Sequence, residues 1–159
     1  MIHEINYKYD HKRLYDEAIC ADGYVSFNDP LTKKDIPEWC ISKTIGLYGL
    51  SIVKDFSSMC DCEIRPRYYI QEKGFTLPFH TDRGTRCAIN FVLSTSKDPI
   101  RFKTESGINS YQYRTAIVDV TKEHEVRASK EDRYLFKLSI FDKSYEDVVE
   151  NINRSLIPS

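Results

Sequence analysis

In "TRCAINFVL" (residues 85–93), Cys87, Ile89, Phe91 and Leu93 fall on one side of an extended chain, and Arg86, Ala88, Asn90 and Val92 on the other. Side chains alternate faces along a strand, so a period of two bounded by polar turns predicts a strand of an antiparallel sheet. The pattern recurs downstream in "PIRFKT" (99–104), "YQYRTAIVDV" (111–120) and "RYLFKLSIF" (133–141), with turn-like "ESGINS" and "RASKED" between them. Upstream, "EIRPRYYI" (63–70) fits a strand, although Pro66 lacks the N–H of a ladder and predicts an edge or a bulge. The last strand has an apolar face of Tyr134, Phe136, Leu138 and Ile140. Its other face, Arg133, Leu135, Lys137 and Ser139, is polar enough that it either meets water or lines a polar cavity.

Outside this β-rich stretch the period lengthens. "DHKRLYDEAIC" (10–20) places Leu14, Ala18 and Ile19 at helical spacing, and "GLSIVKDFSSM" (49–59) does the same with Leu50, Val53 and Phe56. In "SYEDVVENINRSLIP", Ser144 three residues before Asp147 resembles a helix start, Val148, Val149, Ile152 and Leu156 form a stripe, and Pro158 follows the end. The expected architecture is α+β, mainly β: roughly seven or eight short antiparallel strands in a sandwich or jelly-roll barrel with flanking helices. The expected organisation is a single domain over 1–159, with mixed helical support in 1–61, a β core in 62–142 and a C-terminal helix in 144–157.

Composition bounds the function. The 159 residues are 41% hydrophobic, 30% charged and 13% aromatic, with a net charge of −1, which argues against a polyanion binder. Basic and aromatic residues do not interleave as a nucleic-acid platform requires, and no apolar run reaches the roughly 20 residues of a membrane span. From Arg83 to Arg114 six basic residues (Arg83, Arg86, Lys97, Arg101, Lys103, Arg114) face only Asp98 and Glu105, a surplus that favours an anionic ligand. The odd number of cysteines, five, suits a reducing cytoplasm, and the lone C-x-C of Cys60 and Cys62 has no second pair at zinc-site spacing.

The chemistry centres on "FHTDRG" (79–84). Two imidazoles and a carboxylate on one face of an ion leave positions open, the arrangement that non-haem Fe(II) uses to bind a co-substrate and dioxygen together. His80 and Asp82 can reach one ion if a strand ends there, because alternate side chains share a side. Of the other histidines, His3 and His11 lie in the N-terminal segment, which leaves His124 as the third ligand. Arg133, nine residues further and on the polar face of the last strand, can hold a dicarboxylate end-on through a bidentate ion pair. The Tyr69 hydroxyl could contact the same carboxylate.

Taken together, "Y-x4-G-x5-H-T-D" (Tyr69, Gly74, His80, Asp82), "TRCAINFVL" and "HEV-x6-RY" (His124, Arg133, Tyr134) resemble the Fe(II)/2-oxoglutarate-dependent dioxygenase superfamily. "HEV" with "RY" is similar to prolyl hydroxylases. "IVDVTKEHEV", with Asp119 five before the histidine, is similar to aspartyl/asparaginyl hydroxylase-like proteins. The resemblance covers about residues 62–142 and implies a cupin-like double-stranded β-helix, with His80, Asp82 and His124 on iron and Arg133 on the far carboxylate of 2-oxoglutarate. It also implies dioxygen as co-substrate and ascorbate as an accessory reductant. Leu135 stands where many members have serine or threonine; Tyr69, Lys137 or Thr115 could replace that hydroxyl. An intact Asp82 argues for hydroxylation over halogenation.

Two further residues share the inward strand face. Arg86 either binds a substrate carboxylate or pairs with Glu125 or Asp82. Asn90 either bonds 2-oxoglutarate or substrate, or is a satisfied core amide. Trp39 is expected to anchor the N-terminal segment. The expected reaction is hydroxylation of a C–H bond of an amino acid, peptide or protein side chain, probed against two rivals: a non-catalytic jelly-roll module for an acidic ligand, and a cupin-type metal enzyme indifferent to 2-oxoglutarate.

Overall fold

The computed structural model of the chain describes residues 1–156; the expected role of Pro158 lies outside them. In chain order the elements are β1 (Ile2–Glu4), α1 (His11–Cys20), β2 (Val25–Asn28), β3 (Asp35–Ser42), α2 (Leu47–Cys60), β4 (Ile64–Gln71), β5 (Leu77–His80), β6 (Cys87–Val92), β7 (Ile100–Thr104), β8 (Gly107–Tyr111), β9 (Thr115–Val118), β10 (His124–Val126), β11 (Arg133–Ile140) and α3 (Tyr145–Leu156). They form a seven-stranded sheet in the order β1-β9-β6-β11-β4-β3-β2 and a four-stranded sheet in the order β5-β10-β7-β8, with antiparallel pairing throughout.

The alternation in β6 and β11 builds three layers. Cys87, Ile89, Phe91, Phe136, Leu138 and Ile140 face the helices, packing on Leu14 and Ala18 of α1, Ile52 and Phe56 of α2, and Val148 and Ile152 of α3. The opposite faces, with Ala88, Val92 and Leu135, pack on Ile100, Phe102 and Val126 of the smaller sheet. One β-sheet therefore carries a dry aromatic core on its helical side and a second core, shared with the functional site, between the sheets.

Helix ends follow their caps. Asp10 accepts the N–H of Arg13 at 3.1 Å before α1, and Ser144 accepts that of Asp147 at 3.1 Å before α3. In α2 the buried face is Gly49, Ile52, Phe56 and Cys60, whereas Leu50, expected inside, is 46% exposed. Gly49 reads as a gap in an apolar stripe, yet it is a point of close approach: a Cβ there would stand 2.7 Å from Ile45 Cγ2 and 3.0 Å from the Tyr68 hydroxyl. Ile19 of α1 is likewise exposed while Leu14 and Ala18 are buried.

Three strand expectations take a more definite form. Pro66 lies in an interior strand, since β4 is between β11 and β3, but in the part of it that is open on one side. It is tolerated because β3 pairs only with Tyr68–Gln71, so nothing asks Pro66 for an N–H on that side. The run 111–120 is not one strand: Tyr111 ends β8 in the smaller sheet, and Thr115 begins β9 in the larger one. Arg114 secures this crossing by donating to the carbonyls of Val92 and Ser94 at 2.8 and 2.6 Å. The N-terminal segment supplies β1, β2 and β3 as well as two helices, and so extends the larger sheet at both ends.

Candidate metal centre

β5 and β10 are neighbours, and their register places His80 directly opposite His124. Asp82 follows β5 in a loop held by its backbone N–H on the Val120 carbonyl at 3.0 Å. The two imidazoles are oriented alike. Nδ1 of His80 bonds the Pro78 carbonyl at 2.7 Å, and Nδ1 of His124 bonds the Lys122 carbonyl at 2.7 Å. A carbonyl can only accept, so each Nδ1 carries the proton and each Nε2 keeps a free lone pair. These Nε2 atoms stand 3.4 and 3.5 Å from Oδ1 of Asp82, and the three donor atoms all lie within 4.8 Å of one another. Backbone-anchored Nδ1–H groups of this kind fix ligand orientation in metal sites. Two histidines and a carboxylate fit a divalent ion that keeps open positions, and among the described residues this is the cluster that could hold one.

The remaining histidines are engaged elsewhere: His3 Nε2 with Asn153 at 2.8 Å, and His11 Nε2 with the Leu93 carbonyl at 2.9 Å. Cys60 and Cys62 lie at the end of α2, apart from the cluster, and all five cysteines are free.

A small cavity, about 40 Å³, opens beside the triad. Its apolar walls include Leu77, Ile100, Val118, Val120, Val126 and Leu135; its polar groups are the triad, Asn90, Tyr113, Arg133 and Lys137. The polar face of β11 therefore lines a cavity and does not meet bulk water. Arg133 is 3% exposed, and its Nε and Nη2 have no hydrogen-bond partner. Asn90 donates to the Tyr113 hydroxyl at 3.1 Å while its Oδ1 is unpaired. Asn90 is thus neither a satisfied core amide nor outside the site.

Asp82 is the most perturbed acid. Burial alone would raise its pKa, but the Lys137 ammonium foremost outweighs burial and holds it well below the usual carboxylate range. Lys137 is the converse: burial disfavours its charge, and Asp82 more than restores it, so its pKa is raised.

Arg86 is not brought to the site. It is exposed at the entry to β6, outside the cavity lining. Its expected ionic partners are engaged by other residues, Glu125 by Arg101 and by Arg127 at 3.3 Å, and Asp82 by Lys137. Lys103 meets Glu123 at 3.8 Å, so the basic segment 83–114 gives the cavity no cationic lining. Tyr69 sits beside the site with its ring stacked on Trp39, centroids 4.8 Å apart. Trp39, expected to anchor the N-terminal segment, lines the cavity from β3.

No family model and no curated protein sequence matches the chain. Solved structures do. A prolyl hydroxylase from Trichoplax adhaerens, in complex with a hypoxia inducible factor oxygen degradation domain peptide fragment, superposes with a TM-score of 0.69 at 13% identity, over 100% of this chain and 87% of that one. HygX from Streptomyces hygroscopicus, with nickel, 2-oxoglutarate and hygromycin B bound, gives 0.62 at 9% identity, over 89% and 82%. A prolyl-4-hydroxylase from Pseudomonas putida gives 0.52 at 11% identity, over 82% and 98%. The chain therefore has the double-stranded β-helix fold of the 2-oxoglutarate/Fe(II) oxygenases.

Proposed function

We propose that this chain is an Fe(II)- and 2-oxoglutarate-dependent dioxygenase that hydroxylates a C–H bond of an amino acid or of a peptide or protein side chain, releasing succinate and carbon dioxide. The observation that carries the reading is Arg133. Its buried guanidinium presents two unpaired N–H groups to the same cavity as the two-histidine, one-carboxylate cluster. A buried charge without a partner is costly, and a planar two-donor edge matches a carboxylate. A dicarboxylate with one end at the triad and the other on Arg133 satisfies both. A strand rises about 3.3 Å per residue, which spaces Arg133 and Lys137 on β11 by roughly 13 Å and separates the anchor from the triad.

Iron, when bound, supplies the dioxygen chemistry. The chain's residues do the rest. His80 and His124 offer fixed Nε2 lone pairs, Asp82 stays ionised, and the aliphatic walls keep bulk water from the reacting groups. The side chain of His80 is 34% exposed against 7% for His124, which marks the His80 side as the mouth. The more exposed His80 side gives a substrate side chain access to the triad while the rest of the substrate stays outside. The peptide held by the Trichoplax hydroxylase points the same way. Five free thiols support a cytoplasmic setting.

Anaerobic titration with Fe(II) and 2-oxoglutarate tests the reading: a weak visible charge-transfer band is expected, followed by succinate release in air. Iron binding with indifference to the keto acid would instead establish the cupin-type enzyme, and binding of neither the non-catalytic module.

A further inference from the structure

Lys137 stands on the inward face of β11, opposite Asn90 of β6. Its ammonium is buried against Oδ2 of Asp82, with side chains only 14% and 12% exposed. A three-ligand metal centre does not require a lysine, and burying an ammonium is costly unless it is paired. The pairing divides the carboxylate. Oδ1 faces both imidazole Nε2 atoms, whereas Oδ2 is taken by Lys137. The lysine is confined in turn, with Nζ 5.7 Å from the centroid of the Tyr69 ring that stacks on Trp39.

Resting on the metal-centre reading above, we propose that Lys137 is a positioning residue that keeps Oδ2 of Asp82 occupied, so that the carboxylate offers an ion Oδ1 alone. Two effects follow. A carboxylate released from the lysine can turn both oxygens to the ion and fill a position that co-substrate or dioxygen needs. The ammonium also repels a dication, so the centre gives up metal affinity in exchange for an open position. Hydrogen bond and charge are separable: Lys137→Gln keeps a donor without the charge, and Lys137→Met removes both at similar length.

The test uses Mn(II) on the full chain. Free Mn(II) is counted by electron paramagnetic resonance, bound water by water-proton relaxation, and folding is checked by circular dichroism. Both variants are expected to bind Mn(II) at least about tenfold more tightly than wild type, because a like charge beside the ion is gone. Lys137→Met is expected to lose one metal-bound water, and Lys137→Gln to keep the wild-type number. Wild-type affinity and water count in Lys137→Met would show that the lysine only fills space. Should Lys137→Met not fold, unchanged affinity in Lys137→Gln overturns the proposal equally. Failure of wild type to bind one Mn(II) per chain removes the metal-centre reading itself, and this proposal with it.

Discussion

Replacing Arg133 with methionine sets stability against co-substrate binding. In the ligand-free protein Arg133 is 3% exposed with Nε and Nη2 unpaired. Unsatisfied buried donors cost roughly 1–3 kcal/mol each. Methionine keeps most of the stem and has no such donors, so Arg133→Met should stabilise the ligand-free protein by about 2 kcal/mol, after allowing for imperfect packing. For a chain of this size that is a rise in Tm of roughly 4–8 °C. The same change removes the carboxylate anchor. Truncating one partner of a buried charge pair costs about 2–5 kcal/mol, so 2-oxoglutarate should bind about 30-fold to several thousand-fold more weakly. Differential scanning fluorimetry without ligand, and anaerobic titration of the Fe(II) complex, measure both quantities on one preparation. A lower Tm together with wild-type keto-acid affinity would refute the reasoning, since Arg133 would then be a structural residue whose donors are met in another way.

His124→Ala should abolish one-to-one Fe(II) or Mn(II) binding, measured by equilibrium dialysis, while His3→Ala retains it, because His3 bonds Asn153 away from the cluster. Phe136→Ala should cost about 3–5 kcal/mol in urea unfolding, since its ring is fully buried with centroids 4.9 Å from Tyr68 and 5.7 Å from Phe91; a loss below 1 kcal/mol, well under that range, would contradict the packing described. Stability should fall on the alkaline side. Burial, then the neighbouring Cys62 and Asp119, push the Cys87 thiol up to about 12, and burial, then Glu17, raises the Tyr68 hydroxyl. The unfolded chain releases these protons from about pH 8.5 and 10 respectively, and so binds fewer protons than the native state there. The urea midpoint should therefore hold to about pH 8 and decline between about 8.5 and 12; a midpoint flat to pH 11 would exclude this origin. Alkylation at pH 8 should mark exposed Cys20 long before buried Cys87.

Period and spacing carried much of this molecule. The two faces of 85–93 and 133–141 became two cores on either side of one sheet, because strand alternation is a local property of the backbone. The convergence of His80, Asp82 and His124 was legible for a related reason: few residue types can ligate a metal, and the chain contains only four histidines. Register, however, is not local. That His80 lies opposite His124, that Trp39 enters the cavity from β3, and that Tyr113 reaches Asn90 all depend on pairings between strands far apart in sequence. Arg86 shows the limit most plainly. Its alternation with Ala88 and Asn90 points inward, but β6 begins at Cys87, and one residue before a strand the alternation no longer fixes a direction. Lys137 shows the converse. By sequence it is one more polar residue on a mixed face; only the tertiary fold brings its ammonium to Asp82, 55 residues away, where burial turns an ordinary ion pair into a determinant of the site's geometry and charge. The sequence determined which groups could do chemistry and which faces would be dry. The tertiary structure decided which of those groups meet, because meeting depends on strand register and on burial, and neither is written in any single stretch of the chain.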